Sequence, residues 1–151
     1  MKRQILSAPG LFSLILLMTL HLSGQQPSAL NAVNLTIQVE NVNQDGGNIG
    51  VLVFNSTRGW PEDRFAALKD IVVPAHPGTV TVLVPGLQPG DYAVAIVHDV
   101  NRNHKVDKNI FGKPKEQWGM SNNPHATIHA PSFDTARIHV QKDMEIHVRL
   151  Q

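Results

Sequence analysis

The densest run of oxygen-bearing side chains in this sequence lies between His98 and Asn123, HDVNRNHKVDKNIFGKPKEQWGMSNN. Within it Asp99, Asn101, Asn103, Lys105 and Asp107 recur at every second position. A hard cation such as Ca²⁺ takes roughly six to eight oxygen ligands at about 2.3–2.6 Å. A loop curling round the ion turns alternate side chains inward and adds one backbone carbonyl at its seventh position. On that pattern Asp99, Asn101 and Asn103 supply side-chain oxygens and Lys105 its carbonyl. Asp107 acts directly or through water, and Val100, Arg102, His104 and Val106 point away.

The run departs from an EF-hand loop in three ways. His104 stands where a glycine makes the sharp turn, and a left-handed non-glycine residue costs on the order of 1 kcal/mol. Ile110 stands where a bidentate glutamate closes the site, which leaves Glu116 as the candidate replacement. A strand rather than a helix precedes the loop. So few carboxylates imply weak binding, in the range of about 10⁻⁴–10⁻³ M. The metal-free alternative is that the same Asp and Asn residues make Asx-turns in a surface loop.

Other chemistries draw on neighbouring residues. His98, Trp118, Ser121, Asn122 and Asn123 are candidate ligand contacts in the same stretch. His98, His125 and His129 suggest a zinc or copper site, although their scattered spacing fits hydrogen-bonding histidines better. Ser121 with His125 and an aspartate suggests a hydrolase, but no G-x-S-x-G turn surrounds the serine. Trp60 and Trp118, the two tryptophans, fit sugar stacking or the closure of a core end. The chain has no cysteine. Disulfides, thiolate catalysis and Cys-ligated zinc are therefore excluded. Once Lys2 and Arg3 are set aside, eleven basic residues face twelve acidic ones. That balance offers no basic footprint for nucleic acid.

The elements that must position these residues read as β-structure. Residues 1–24 form a signal peptide, with Lys2 and Arg3 ahead of the apolar run Leu11–Leu22, which is too short to span a bilayer. Residues 25–32 are a flexible leader, and 33–151 one domain. After cleavage no membrane span is expected, and the destination is the periplasm or the medium. Val33–Glu40 alternates apolar with polar side chains, and Ile49–Phe54 is apolar and β-branched. Thr79–Val84 and Asp91–His98 are strands, and Ile71–Pro74 is a brief edge strand. Within 91–98, Tyr92, Val94 and Ile96 share one face; Ala93, Ala95, Val97 and then Asp99 share the other. The spacing predicts one short helix over 60–69, with Pro61 in its first turn and Phe65 and Leu68 toward the core. Arg137–Val140 and Met144–Leu150 are expected to pair as a terminal hairpin. The sum is an all-β domain: an antiparallel β-sandwich, immunoglobulin- or transthyretin-like, of six to seven strands with one short helix and one long loop.

The run from His98 to Asn123, H-D-x-N-x-N-x-x-x-D-x-N-x-x-G-x-P-x-E-x-x-G-x-S-N-N, with Pro89–Ile96 (PGDYAVAI) before it, resembles the bacterial family catalogued as domain of unknown function 2141. The likeness extends over Val33–Leu150. It implies an exported β-sandwich and brings no assigned activity. A looser likeness is to the calcium-binding B-type repeats of bacterial surface adhesins. Together these readings lead to an exported, non-catalytic module with a weak Ca²⁺ site, acting in binding or architecture at the cell envelope. Its partner would be a glycan or an envelope protein. A carbohydrate-binding module using an exposed tryptophan, or a small hydrolase or His-metal enzyme, are the alternatives.

Overall fold

The computed structural model describes residues 32–112, 114–125 and 129–151, so the expected signal peptide and residues 25–31 of the expected leader lie outside the described residues. Eight strands and one short helix follow in order. They are β1 (Val33–Val42), β2 (Asn48–Phe54), β3 (Lys69–Pro74), β4 (Gly78–Leu87), β5 (Gly90–Asp99), β6 (Trp118–Met120), α1 (Phe133–Ala136), β7 (Ile138–Val140) and β8 (Met144–Arg149). They build two sheets, ordered β4-β1-β8 and β3-β2-β5-β6, with β7 also pairing β5. The β-sandwich expected from the sequence is what forms.

Alternation fixes which side chains fill the space between the sheets. Leu35, Ile37 and Val39 of β1 are fully buried, as are Ile49, Val51 and Val53 of β2. Val82 and Val84 of β4 and Val94 and Ile96 of β5 complete the same cluster. The chain crosses between sheets after β4, and Tyr92 pins that crossing. Its hydroxyl donates to the Gln88 carbonyl at 2.6 Å, four residues back, the tyrosine-corner arrangement of Greek-key sandwiches. Burial pushes the Tyr92 phenol above its ordinary pKa.

Three expectations fail. Residues 60–68 form turns and bends rather than a helix, and Lys69 already begins β3. Gly59 sits at φ 72 and the Asp63 carboxylate accepts the Phe65 amide, so side chain and turn take over helical bonding. Phe65 is consequently 95% exposed rather than facing the core. The helix lies instead at Phe133–Ala136, where Ser132 caps it by accepting the Thr135 amide. The terminal hairpin is absent: β7 pairs β5 in one sheet, while β8 lies parallel to β1 in the other. Residues 141–143 cross between sheets, and each flanking strand turns a face inward, Ile138 and Val140 from β7 and Val148 from β8. The sandwich is thus antiparallel apart from the β1–β8 pair.

Candidate functional site

β5 is the element that aims the loop. Its inward residues Tyr92, Val94, Ile96 and His98 face the core, so Asp99 emerges on the outer face of its sheet. Asp99 is only 3% exposed. Its carboxylate accepts the amides of Asn103 at 3.0 Å and His104 at 2.8 Å, curling the chain back over the strand end. Asn101 Oδ1 also accepts the Asn103 amide, and Asn103 Oδ1 accepts that of Lys105. Two successive Asx-turns therefore follow from residues at every second position. Arg102 and His104 take φ near 60°, so His104 does occupy the left-handed turn reserved for glycine in comparable loops.

The far end of the loop returns to the same place. Asp107 accepts Asn101 Nδ2 on one carboxylate oxygen at 2.7 Å and Asn103 Nδ2 on the other at 3.0 Å. Glu116 comes back from sixteen residues on, and its two oxygens accept the amides of Val100 and Asp107, each at 3.1 Å. Asp99, Asn101, Asn103, Asp107 and Glu116 thus lie in one network. A short bridge between Lys108 and Pro114 closes the outer lobe, leaving Ile110 at its tip 93% exposed. Behind the loop, Gly47 at φ 73 lets the β1–β2 turn approach. A Cβ there would stand 2.5 Å from the Asp99 carbonyl oxygen.

Among the described residues, no group of three His, Asp or Glu side chains is gathered closely enough to hold a metal by itself. The carboxylates are spaced by the asparagine amides and backbone N–H groups between them. Each oxygen of the set already receives one hydrogen, and a carboxylate or amide oxygen retains lone-pair capacity beyond that. The donor set is all oxygen, the type a hard cation takes.

The remaining candidates go elsewhere. His98 is fully buried in the sandwich, with Nε2 at 2.8 Å from the Gly46 carbonyl and no partner for Nδ1. Ser121 is fully buried: its hydroxyl accepts the Val94 amide and donates to the Ala136 carbonyl, joining β5 to the β6–β7 segment. Asn122 Nδ2 donates to the carbonyls of Thr135 and Arg137. Asn123 bridges the His147 carbonyl and the Arg149 amide. These three side chains bind the fold's own backbone, and His98 lies on the core side of β5, away from Asp99. Trp60 is no exposed platform either; it packs edge-on to Phe54 and Phe133, and its Nε1 donates to the Pro131 carbonyl.

Of these side chains, half-buried Trp118 is the one beside the cleft under the long loop. The cleft measures about 800 Å³ and lies over the outer face of the β3-β2-β5-β6 sheet. Its floor consists of residues that sequence reasoning did not single out, such as Gly50, Leu52 and Ala95. The signal was present in the small-residue face of 91–98 and in Gly50 interrupting an otherwise bulky strand.

The family model described as an uncharacterized protein conserved in bacteria, domain of unknown function 2141, matches residues 37–147. That span holds all five donors of the loop network. No curated protein and no solved structure gives a significant match.

Proposed function

Because the chain belongs to that bacterial family, whose description carries no activity, its loop is the best guide to function, and we propose that it is an exported, non-catalytic binding module whose 99–116 loop is ordered by Ca²⁺. The observation carrying this reading is the single network made by Asp99, Asn101, Asn103, Asp107 and Glu116. Glu116 supplies the additional carboxylate missing at the twelfth loop position. A Ca²⁺ ion would draw on Asp99, Asp107 and Glu116 for charge, and on the Asn101 and Asn103 amide oxygens and the Lys105 carbonyl for further ligands. Three carboxylates linked through one hydrogen-bond network place three negative charges in one loop, and a divalent ion would offset their mutual repulsion.

A second reading is supported by the completeness of the network: every oxygen already has a donor, so Asx-turns alone can hold the loop without metal. Calcium titration followed by amide NMR separates the two. In the first reading the Asn103, His104 and Asp107 amides shift and saturate at about 10⁻⁴–10⁻³ M calcium. Amides unmoved at ~10 mM calcium, well above that affinity range, would leave the Asx-turn loop.

Export rests on Lys2 and Arg3 ahead of Leu11–Leu22. Mass spectrometry of protein from its native host should give a mature start near Gln25, and an intact Met1 in the cytosolic fraction would contradict it. Among the described residues no helix is long and apolar enough to cross a membrane.

A further inference from the structure

The cleft beneath the long loop has a floor that strand register makes explicit. Two rows cross the four strands of the sheet, Val72–Gly50–Val97–Trp118 and Asp70–Leu52–Ala95–Met120. With strands about 4.8 Å apart, four of them give a strip roughly 14 Å long and about 7 Å wide. Gly50 and Ala95 keep its middle low; a Cβ on Gly50 would already stand 3.3 Å from Val97 Cγ1. At about 800 Å³ the cleft falls within the roughly 300–1,000 Å³ usual for small-molecule sites.

The chemistry of the lining narrows the occupant. Gly50, Leu52, Ala95, Val97 and Met120 offer no strong side-chain hydrogen-bonding group. A sugar seated on those two rows would lose water without replacement, the polar lining residues Asn48, His104 and His129 lying outside them. The charges at the rim are mostly spent on one another. Arg64 pairs Asp70 at 2.6 Å, and Lys108 pairs Glu62 at 2.6 Å. Asp99 is buried, with both oxygens on loop amides. Lys105 lines the cleft on an exposed turn and has no carboxylate within ion-pair distance among the described residues. Phe111, also lining it, is 81% exposed, an apolar ring positioned to cover an apolar guest.

We propose that this cleft binds a fatty-acid-type amphiphile, its extended acyl chain lying along the two rows and its carboxylate meeting Lys105. The strip matches an extended chain of about a dozen carbons in length and width, and the free cation matches the head group. The site goes beyond the calcium reading, since it requires the loop in place but no ion.

Calorimetric titration of the full chain in EDTA with dodecanoate and dodecyltrimethylammonium below their micellar concentrations, and with dodecanol below its solubility limit, tests this. Dodecanoate should bind without any divalent ion, about three- to fivefold tighter than dodecanol, the difference an exposed ion pair provides, and tighter still than the cation. Lys105→Met, an exposed change that leaves the fold alone, should erase the preference for dodecanoate while leaving dodecanol unchanged. Ala95→Phe, which fills the floor, should weaken both by tenfold or more, the effect of losing about 1.4 kcal/mol. Binding kept in EDTA alongside silent calcium NMR would sink the ion reading and spare this one. No binding of dodecanoate, equal affinity for the cation, or a preference indifferent to Lys105→Met would overturn the proposal.

Discussion

Two long excursions lie over the outer face of the same sheet, and they are held by opposite means. Residues 55–68, between β2 and β3, are nailed down by aromatic packing: Trp60 stands edge-on between Phe54 and Phe133, in a small second core with Ala93, Met120 and Ala136. Among the described residues of 100–117, between β5 and β6, there is no such core. Ile110 and Phe111 at their tip are exposed, and order comes from Asp99, Asp107 and Glu116 accepting hydrogens. An exposed ion pair from Lys108 to Glu62 joins the two, a contact worth little by itself. Apolar burial is indifferent to ions, whereas a carboxylate network is open to whatever cation the solvent supplies. On the proposed function, the second excursion is the one expected to respond to cations.

The comparison breaks most visibly at Trp60. Trp60→Ala should cost about 3 kcal/mol, the order found for emptying an aromatic site, and should leave any calcium response intact. Chemical denaturation with and without calcium reads both. Asp99→Ala should cost about 2 kcal/mol, since a buried carboxylate accepting two amides is lost. It should also remove the calcium increment, which Trp60→Ala must not.

Tyr92 sharpens the contrast from outside both excursions, because it ties the sheets together without any ionised group. Its folded pKa lies above the unfolded value of 10.0 through burial, so its contribution is fully present below that pH. It is lost as pH rises past 10.0 toward the folded value, where the phenolate forms and has no hydrogen for the Gln88 carbonyl. Tyr92→Phe should cost about 1 kcal/mol at neutral pH and flatten this alkaline loss. As the single tyrosine of the chain, it can be followed directly by tyrosinate absorbance. The smallest effect belongs to His104→Gly: relieving a left-handed histidine should raise stability by about 0.5 kcal/mol, part of the relief being offset by a freer unfolded chain.

Strand periodicity made most of this architecture readable, because a half-buried strand repeats every two residues and β1, β4 and β8 do so, while β5 is buried on both faces. The loop was readable for a related reason. Asp99, Asn101, Asn103 and Asp107 sit at alternate positions, and Asx-turns are local enough to be written in spacing. What local spacing does not carry is a partner chosen at long range. β8 lies parallel to β1 across more than a hundred residues, and β7 joins β5 although a hairpin with β8 is nearer in sequence. Pro61, Glu62 and Asp63 satisfy the rules for a helix start, yet the Asp63 carboxylate bonds Phe65 and Trp60 is drawn into the Phe54–Phe133 cluster. Ser121 illustrates the reverse case. In sequence it passes for a nucleophile, and only burial between β5 and Ala136 shows it to be a strand joint.

The most direct test of the ion-responsive loop is thermal melting of the wild type in EDTA and in millimolar calcium. An ion that binds the folded state alone stabilises it by mass action. At free calcium about tenfold above Kd the gain is about 1.4 kcal/mol, or about 3–7 °C in melting temperature for a domain of this size. Magnesium should do less, because it demands tighter octahedral geometry and gives up water reluctantly. The account predicts that rise with calcium and its absence in Asp99→Ala; identical melting of the wild type in EDTA and in ~10 mM calcium, above the expected affinity range, would contradict it.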